Sequence, residues 1–267
     1  MSAWLGRALR GAVLGLLAYA IFAPLANLAL WAVAVRWYYP YKLPLSYGFR
    51  YWYDVFKPTS DAVASLGTSI VIAVITVAVC LLLAVPAGYA LGRARLPARA
   101  LILSILLLPQ AFPTVAVYLN IARLFYRVGL NGTIAGVVLV HAVHGLVIAV
   151  WIAAAAFAAV DTELELAARN MGASAVRAVF TVTLPLAAPG LIASAIFVFL
   201  ESLDEFTGTY FVGVPDITTL PLMMYNASIN GNYQIAAITA LVLLVPSIVF
   251  MLAIERFLST ETLAKIG

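Results

Sequence analysis

The sequence predicts an all-α membrane protein with six transmembrane helices, and three observations carry that reading. The 267 residues are 65% hydrophobic and only 10% charged, whereas soluble globular chains carry about 25% charged residues. A chain this apolar would expose more greasy surface than water tolerates. Six apolar runs also reach the length of about 20 residues needed to cross a hydrocarbon core of about 30 Å. These runs are continuous, without the period-2 alternation of barrel strands, so the backbone satisfies itself in lipid as helix.

The first span, 11–35, follows Arg7 and Arg10 and contains Pro24, which is expected to kink it. It exceeds the core of a cleavable signal peptide and reads as a retained span. The aromatic loop 37–60 (WYYPYKLPLSYGFRYWYDVFKPTS) suits a headgroup-level element that seals one face. Span two, 62–91, is longer than the bilayer and so tilted or protruding. A basic loop, GRARLPAR, supplies Arg93, Arg95 and Arg99 before span three, 100–125, which Pro109, Gln110 and Pro113 interrupt. Span four follows at 133–156. Residues 131–133 match the glycosylation acceptor pattern but read as turn chemistry ahead of a helix. Span five is expected at 191–211, a second outer loop at 212–232, and span six at 234–257 before a short polar tail.

With the N-terminus cytoplasmic, inner segments hold nine of the fifteen basic residues: Arg7, Arg10, Arg93, Arg95, Arg99, Arg169, Arg177, Arg256 and Lys265. Three of them fall within the seven residues Arg93 to Arg99, a strong local bias toward the inner side. An even number of spans returns the C-terminus there too. The single domain, 1–267, thus places its one long hydrophilic insertion, about 161–189, in the cytoplasm.

That insertion, DTELELAARNMGASAVRAVFTVTLPLAAPG with the span-five junction, is amphipathic rather than greasy. Leu164, Ala167 and Ala168 recur at helical spacing. Asp161, Glu163 and Glu165 occupy the first turns, where they suit the helix dipole. Gly172 can take a left-handed conformation that ends the first helix. A second amphipathic helix, with Val176, Val179, Phe180 and Val182 on its apolar side, is expected next. Pro185 and Pro189 then re-aim the chain into span five. An acidic start argues against a helix lying on anionic lipid; docking into a soluble partner is the better reading.

The stretch ELAARNMGAS…VTLPLAAPG resembles the loop shared by integral-membrane permeases of bacterial ATP-binding-cassette importers. That family's pattern runs Glu-Ala-Ala, three residues, Gly, then about nine residues to a hydrophobic-x-Leu-Pro. Here Leu166 stands at the glutamate position, with Glu165 one place earlier; Ala167, Ala168, Gly172 and Pro185 match. LPQAFP, LNGTIAG, SLDEFTGTYFVG, TLPLMMY and GNYQIAA extend the likeness to the subgroup serving spermidine and putrescine, with relatives for opines, aminophosphonates and ferric iron. The resemblance implies a type I importer permease in the bacterial inner membrane. Its partners would be a second permease, two ATPase subunits and an extracytoplasmic substrate-binding protein. ATP would be bound by the partner subunit, with no cofactor on this chain and no nucleic acid. Glu165, Leu166, Ala167, Ala168, Arg169, Asn170, Met171, Gly172, Ala173 and Ser174 would form the ATPase-coupling helix.

Within span five, Glu201, Asp204 and Glu205 stand at i, i+3 and i+4, with no lysine or arginine in the same span. Ionisable groups at that depth are expensive and usually face a bundle interior or water cavity; three carboxylates there favour a cationic, amine-bearing solute or take up protons themselves, the alternative being a place near the outer interface with bonds to backbone amides or to the partner permease. Tyr118 and Tyr210 could add cation–π surface to the pathway. His141 and His144 lack a third ligand at motif spacing and read as buried, hydrogen-bonded imidazoles rather than a metal site. The lone Cys80 reads as a small core hydrophobe. Two other classes compete: an ion-coupled secondary carrier using the same acids as relay groups, and an intramembrane enzyme using them with the histidines. Neither needs a coupling loop.

Overall fold

The structure is a computed structural model that describes residues 2–94 and 96–258. Arg95, Lys265 and the polar tail, all invoked in the topology reading, lie outside the described residues. Within them the chain forms two compact units, one drawn from residues up to 63 and 223–244, the other from 64–222 and from 245 onward.

In the first unit, α1 (Ser2–Val33) carries Pro24 inside an unbroken helix. None of its most hydrophobic stretch is buried by the chain itself. The aromatic loop has secondary structure of its own. Strand β1 (Ala34–Arg36) pairs antiparallel with β2 (Ser46–Tyr47), and α2 (Arg50–Phe56) follows. The alternation of valine and alanine after Val33 suits a strand, and Gly48 N–H closes the ladder on Val33 O at 2.8 Å. Trp31 stacks on Trp37 with ring centroids 4.1 Å apart, while Trp52 Nε1 donates to Ala32 O at 2.8 Å. These paired rings with tethered polar edges have the chemistry of an interfacial belt.

The second unit is built around span four. Helices α3 (Ala62–Arg93), α4 (Arg99–Leu106), α5 (Leu108–Ala111), α6 (Thr114–Val128) and α7 (Ile134–Ala159) carry the chain through the second, third and fourth runs. α3 is about 48 Å long at 1.5 Å per residue, which fits a tilted or protruding span. The third run is broken as expected, with Pro109 in the first turn of α5 and Pro113 at the N-cap of α6. α7 starts on a capped turn: Thr133 Oγ1 accepts from Gly136 N–H at 3.0 Å. It is the most enclosed span, with 67% of its apolar window buried.

Small residues let the neighbours approach it. A Cβ on Gly88 of α3 would stand 2.5 Å from Ala153 Cβ, and one on Gly92 would stand 2.6 Å from Ala154 O. Gly190 meets Ala156 in the same way from the next span. In lipid, where helices gain little from hydrophobic association, such close packing is what holds them together. Cys80 is buried in this core beside Ala84, Ala149 and Val198.

Span five departs from expectation at both ends. After α8 (Thr162–Asn170) and α9 (Ala175–Ala178), a single π-helical turn (Val179–Thr183) runs directly into α10 (Leu184–Asp204). There is no separate second amphipathic helix, and Pro185 and Pro189 do not break the chain away from span five. Pro185 directly follows the π turn, where the α-helical hydrogen-bond register is already interrupted, and Pro189 sits within the helix. The span then ends at Asp204, because Glu205 is extended (φ −77°, ψ 110°), and α11 (Thr207–Val212) follows. The expected outer loop 212–232 contains α12 (Leu220–Ile229). Pro221 suits the first turn of this helix, and its leading N–H, on Leu220, is capped by Ser69 Oγ at 2.9 Å. α13 (Tyr233–Leu258) is span six.

Among the described residues, five helices are long and apolar enough to cross a membrane. The broken α4–α6 run occupies the stretch expected as span three.

Candidate functional site

The insertion forms an elbow whose helix ends and bend are capped by hydrogen bonds. Asp161 caps α8, its Oδ1 accepting from Glu163 N–H at 2.9 Å. At the far end Gly172 adopts φ +94°. Gly172 N–H donates to Arg169 O at 3.0 Å and Ala173 N–H to Ala168 O at 3.1 Å. Those two bonds are the 5→2 and 6→1 pair of a Schellman cap. Ser174 caps α9 immediately, its Oγ accepting from Arg177 N–H at 3.3 Å.

The rotation of α8 is set by a carboxylate rather than by an apolar stripe. Leu164, Leu166 and Ala167 are exposed, and the inward positions are Glu165 and Ala168. Glu165 Oε2 accepts from Arg93 Nη2 at 2.8 Å and from Thr183 Oγ1 at 2.8 Å; Oε1 accepts from Tyr89 Oη at 3.1 Å. Arg93 also donates to Val160 O, the C-cap of α7. One side chain therefore ties the elbow to the end of α3, to the end of α7 and to the π turn that opens α10. The Arg93 and Glu165 side chains are 7% and 15% exposed. Burial alone pushes the Glu165 carboxyl upward, but the hydrogen bonds from Arg93, Thr183 and Tyr89, with the Arg93 charge, outweigh it and hold the group below its ordinary value.

Beside this hub lies a cavity of about 190 Å³ lined by Tyr89, Arg93, Thr162, Glu165 and Leu166. An apolar groove of about 670 Å³, lined in part by Leu81, Phe157 and Phe180, continues from Tyr89. On the outside, Leu164, Leu166, Met171, Val176 and Phe180 are all exposed, Met171 by 89%.

The ten residues 165–174 run from the middle of α8 through the Gly172 cap to the N-cap of α9, beside the Glu165 hub. Arg93, Tyr89 and Thr183 were missed as members of it. Tyr89 and Arg93 stand at i, i+4, so they share a face at the end of α3, a signal present in the sequence. Thr183 is drawn in only by the π turn, which no residue pattern announces.

The acidic trio is a pair plus a cap. Glu201 and Asp204 lie on α10 at i, i+3 and are exposed. Glu205, off the helix, turns back: its Oε1 accepts from Gly208 N–H at 2.8 Å and its Oε2 from Tyr118 Oη at 3.0 Å. Tyr118 is 0% exposed, so it offers no open face to a solute, and its oxygen also meets His144 Nδ1 at 2.7 Å. Tyr210 is half-exposed on α11. His141 and His144 are buried with both ring nitrogens partnered. Among the described residues no group of three His, Cys, Asp or Glu side chains could hold a metal ion.

Residues 84–260 match the sequence model of the family described as binding-protein-dependent transport system inner membrane component. The trehalose transport system permease protein SugB of Mycobacterium tuberculosis is 30% identical over 199 residues, covering 72% of each chain. The molybdenum transport system permease protein ModB of Escherichia coli K12 is 36% identical over 154 residues, covering 52% of this chain and 67% of that one. Among solved structures, a bacterial ABC transporter involved in the import of the acidic polysaccharide alginate superposes with a TM-score of 0.72. It does so at 16% identity, covering 97% of this chain and 98% of the other.

Proposed function

Because the chain belongs to the family of inner membrane components of binding-protein-dependent transport systems, it is a permease subunit of an ATP-driven importer, and we propose that its elbow, residues 161–174, is the part that the ATPase moves. The fold is that of a type I importer permease, multi-pass in the inner membrane, and ATP hydrolysis belongs to a separate subunit. Membership sets aside the secondary-carrier and intramembrane-enzyme readings.

The observation that carries the coupling role is the pairing of an exposed apolar outside with an ionic inside. Leu164, Leu166, Met171 and Val176 give a partner groove something to grip. Glu165 joins whatever pushes α8 to α3 and α10 through Arg93 and Thr183. A push on the elbow therefore moves spans two and five together, opening one side of a central cavity while closing the other. The orientation in this reading puts the elbow and both termini in the cytoplasm, supported by the arginines from Arg93 to Arg99. A second permease would cover α1, whose most hydrophobic stretch is exposed among the described residues. A binding protein would deliver solute from outside, and two ATPase subunits would complete the assembly.

For the solute, Glu201 and Asp204 support a small amine-bearing cation of the polyamine type, since α10 has no basic residue to offset them and carboxylates repel an oxyanion. Tyr210 would flank them; Glu205 and Tyr118, already bonded to each other, would shape that wall rather than touch the solute. A carbohydrate is the second reading, supported by the trehalose permease and the alginate transporter. A ligand screen of the cognate binding protein separates the two. Coupling is tested by Gly172→Pro: proline cannot reach φ +94° and lacks the N–H that Arg169 O accepts, a cost of about 3 kcal/mol or more. Uptake should vanish while membrane insertion persists; normal uptake would overturn the assignment.

A further inference from the structure

The two buried histidines of α7 differ in what surrounds them. His141 stands between hydroxyls, Ser202 Oγ at 2.8 Å from Nδ1 and Thr209 Oγ1 at 2.9 Å from Nε2. A hydroxyl donates or accepts as required, so a neutral imidazole is satisfied there in either tautomer. His144 has less freedom. Its Nε2 lies 3.3 Å from Pro109 O, which can only accept, so Nε2 carries hydrogen. Its Nδ1 lies 2.7 Å from Tyr118 Oη, and that oxygen lies 3.0 Å from Glu205 Oε2.

Two contacts therefore run in series, from Nδ1 to Oη and from Oη to Oε2, and each needs one hydrogen. Tyr118 supplies one. The second must come from Glu205 as a carboxylic acid or from His144 as an imidazolium. Glu205 Oε1 already accepts from Gly208 N–H.

We propose that Glu205, Tyr118 and His144 bind one exchangeable proton as a relay, and that this proton locks the breaks in spans three and five to span four. In one form the Glu205 acid donates to Tyr118, which donates to neutral His144. In the other the carboxylate accepts from Tyr118, which accepts from the imidazolium. They interconvert when one proton passes from Glu205 to Oη as another passes from Oη to Nδ1, with no net change in charge. Both forms fill every contact and leave the chain of groups neutral overall, which a low-dielectric interior favours.

The elements joined are those whose geometry is irregular. Pro109 O belongs to the break ahead of α6, and Gln110 Nε2 returns a bond to His144 O at 3.3 Å. Glu205 is the C-cap of α10 and tethers the start of α11 through Gly208. The charged and titratable groups nearby are Glu201 and Asp204 on α10, with Glu201 within Coulombic reach of His144 and Tyr118. His141 on α7 and Tyr210 on α11 stand further along, and α3 contributes the Cys80 thiol, which faces Gly145.

Loss of the proton leaves the tyrosine hydrogen to serve one neighbour of two. Gain of another leaves the tyrosine hydrogen without an acceptor. The joint is complete only in the one-proton state.

The experiment is hydrogen exchange of the full chain in nanodiscs as a function of pH, read at residues 108–113 and 207–212 after correction for intrinsic exchange. Wild type should exchange about tenfold faster there once the proton is lost at alkaline pH, the size of one unfilled buried contact. Glu205→Gln supplies an amide N–H to Oη and an oxygen to Gly208, so it completes the chain without an exchangeable proton; it should keep wild-type protection and lose the alkaline step. Tyr118→Phe should exchange fast with no step. A wild type without the step, a Glu205→Gln variant that retains it, or a Tyr118→Phe variant that keeps the wild-type profile would each overturn the relay.

Discussion

Replacing Glu165 by glutamine isolates the ionic contact on which the elbow's position depends. Glutamine keeps the shape but has one oxygen, whereas Glu165 uses two: Oε2 for Arg93 and Thr183, Oε1 for Tyr89. With its oxygen at the Oε2 position the amide can still donate to the Tyr89 hydroxyl, but the Arg93 bond then ends on a neutral acceptor. The difference between a charged and a neutral hydrogen bond is about 1–1.5 kcal/mol. At 1.4 kcal/mol per factor of ten, the undocked population of α8 should rise by about 5- to 12-fold. Exposures of 7% and 15% leave little water to screen the pair.

The assay is hydrogen exchange of residues 162–171 in nanodiscs. Wild type should also show an acid step that the variant lacks. The docked carboxyl is held below its ordinary value of 4.5, so its contribution is complete above that pH and disappears as pH falls through the depressed value. Unchanged exchange in E165Q, or an acid step surviving in it, would refute the view that this carboxylate docks the elbow.

Two further outcomes follow from the packing and the acids. Gly88→Ala should lower the thermal midpoint: its Cβ would meet Ala153 Cβ at 2.5 Å and backbone atoms at 2.9 Å. That overpacking costs about 1–3 kcal/mol, outweighing about 1 kcal/mol of helix propensity. Gly11→Ala, with nothing within 4 Å, should show only the propensity gain. Glu201→Gln with Asp204→Asn should weaken uptake of a cationic solute delivered by the binding protein; unchanged rate and preference would make those acids structural.

Most of the architecture was legible because membrane spans are written in composition. A helix that must cross lipid needs a long apolar run, and α3, α7 and α13 each lie within a few residues of where their runs predict, while α1 ends near its run's end but begins nine residues ahead of it. The broken third span was legible through Pro109 and Pro113. What misled was punctuation that lipid and packing override. Pro185 was expected to re-aim the chain, yet it follows a π turn that already interrupts the hydrogen-bond register, and the helix runs from Ala175 to Asp204 without a gap. Glu205 looked like the third member of a helical face, yet its backbone leaves the helix to cap α11.

At the elbow, Gly172 announced the bend correctly because few residues other than glycine accept φ +94°. The hub was hidden because its members, Arg93, Glu165 and Thr183, come from three separate segments. Leu166 at the glutamate position of the resembled motif masked the role that Glu165 fills one residue earlier. The relay was hidden for the same reason: Tyr118, His144 and Glu205 are far apart in sequence, and only the folded chain counts their protons.

An elbow that seats in the ATPase must present its tip to that subunit. Met171→Cys places a reactive thiol at its exposed tip, while the chain's own Cys80 is buried. In the purified, assembled importer, a short bifunctional cross-linker should join this introduced thiol to the ATPase subunit, and nucleotide should change the yield. Cross-links only to the extracytoplasmic binding protein, or labelling of that thiol by a membrane-impermeant maleimide from outside intact cells, would contradict it.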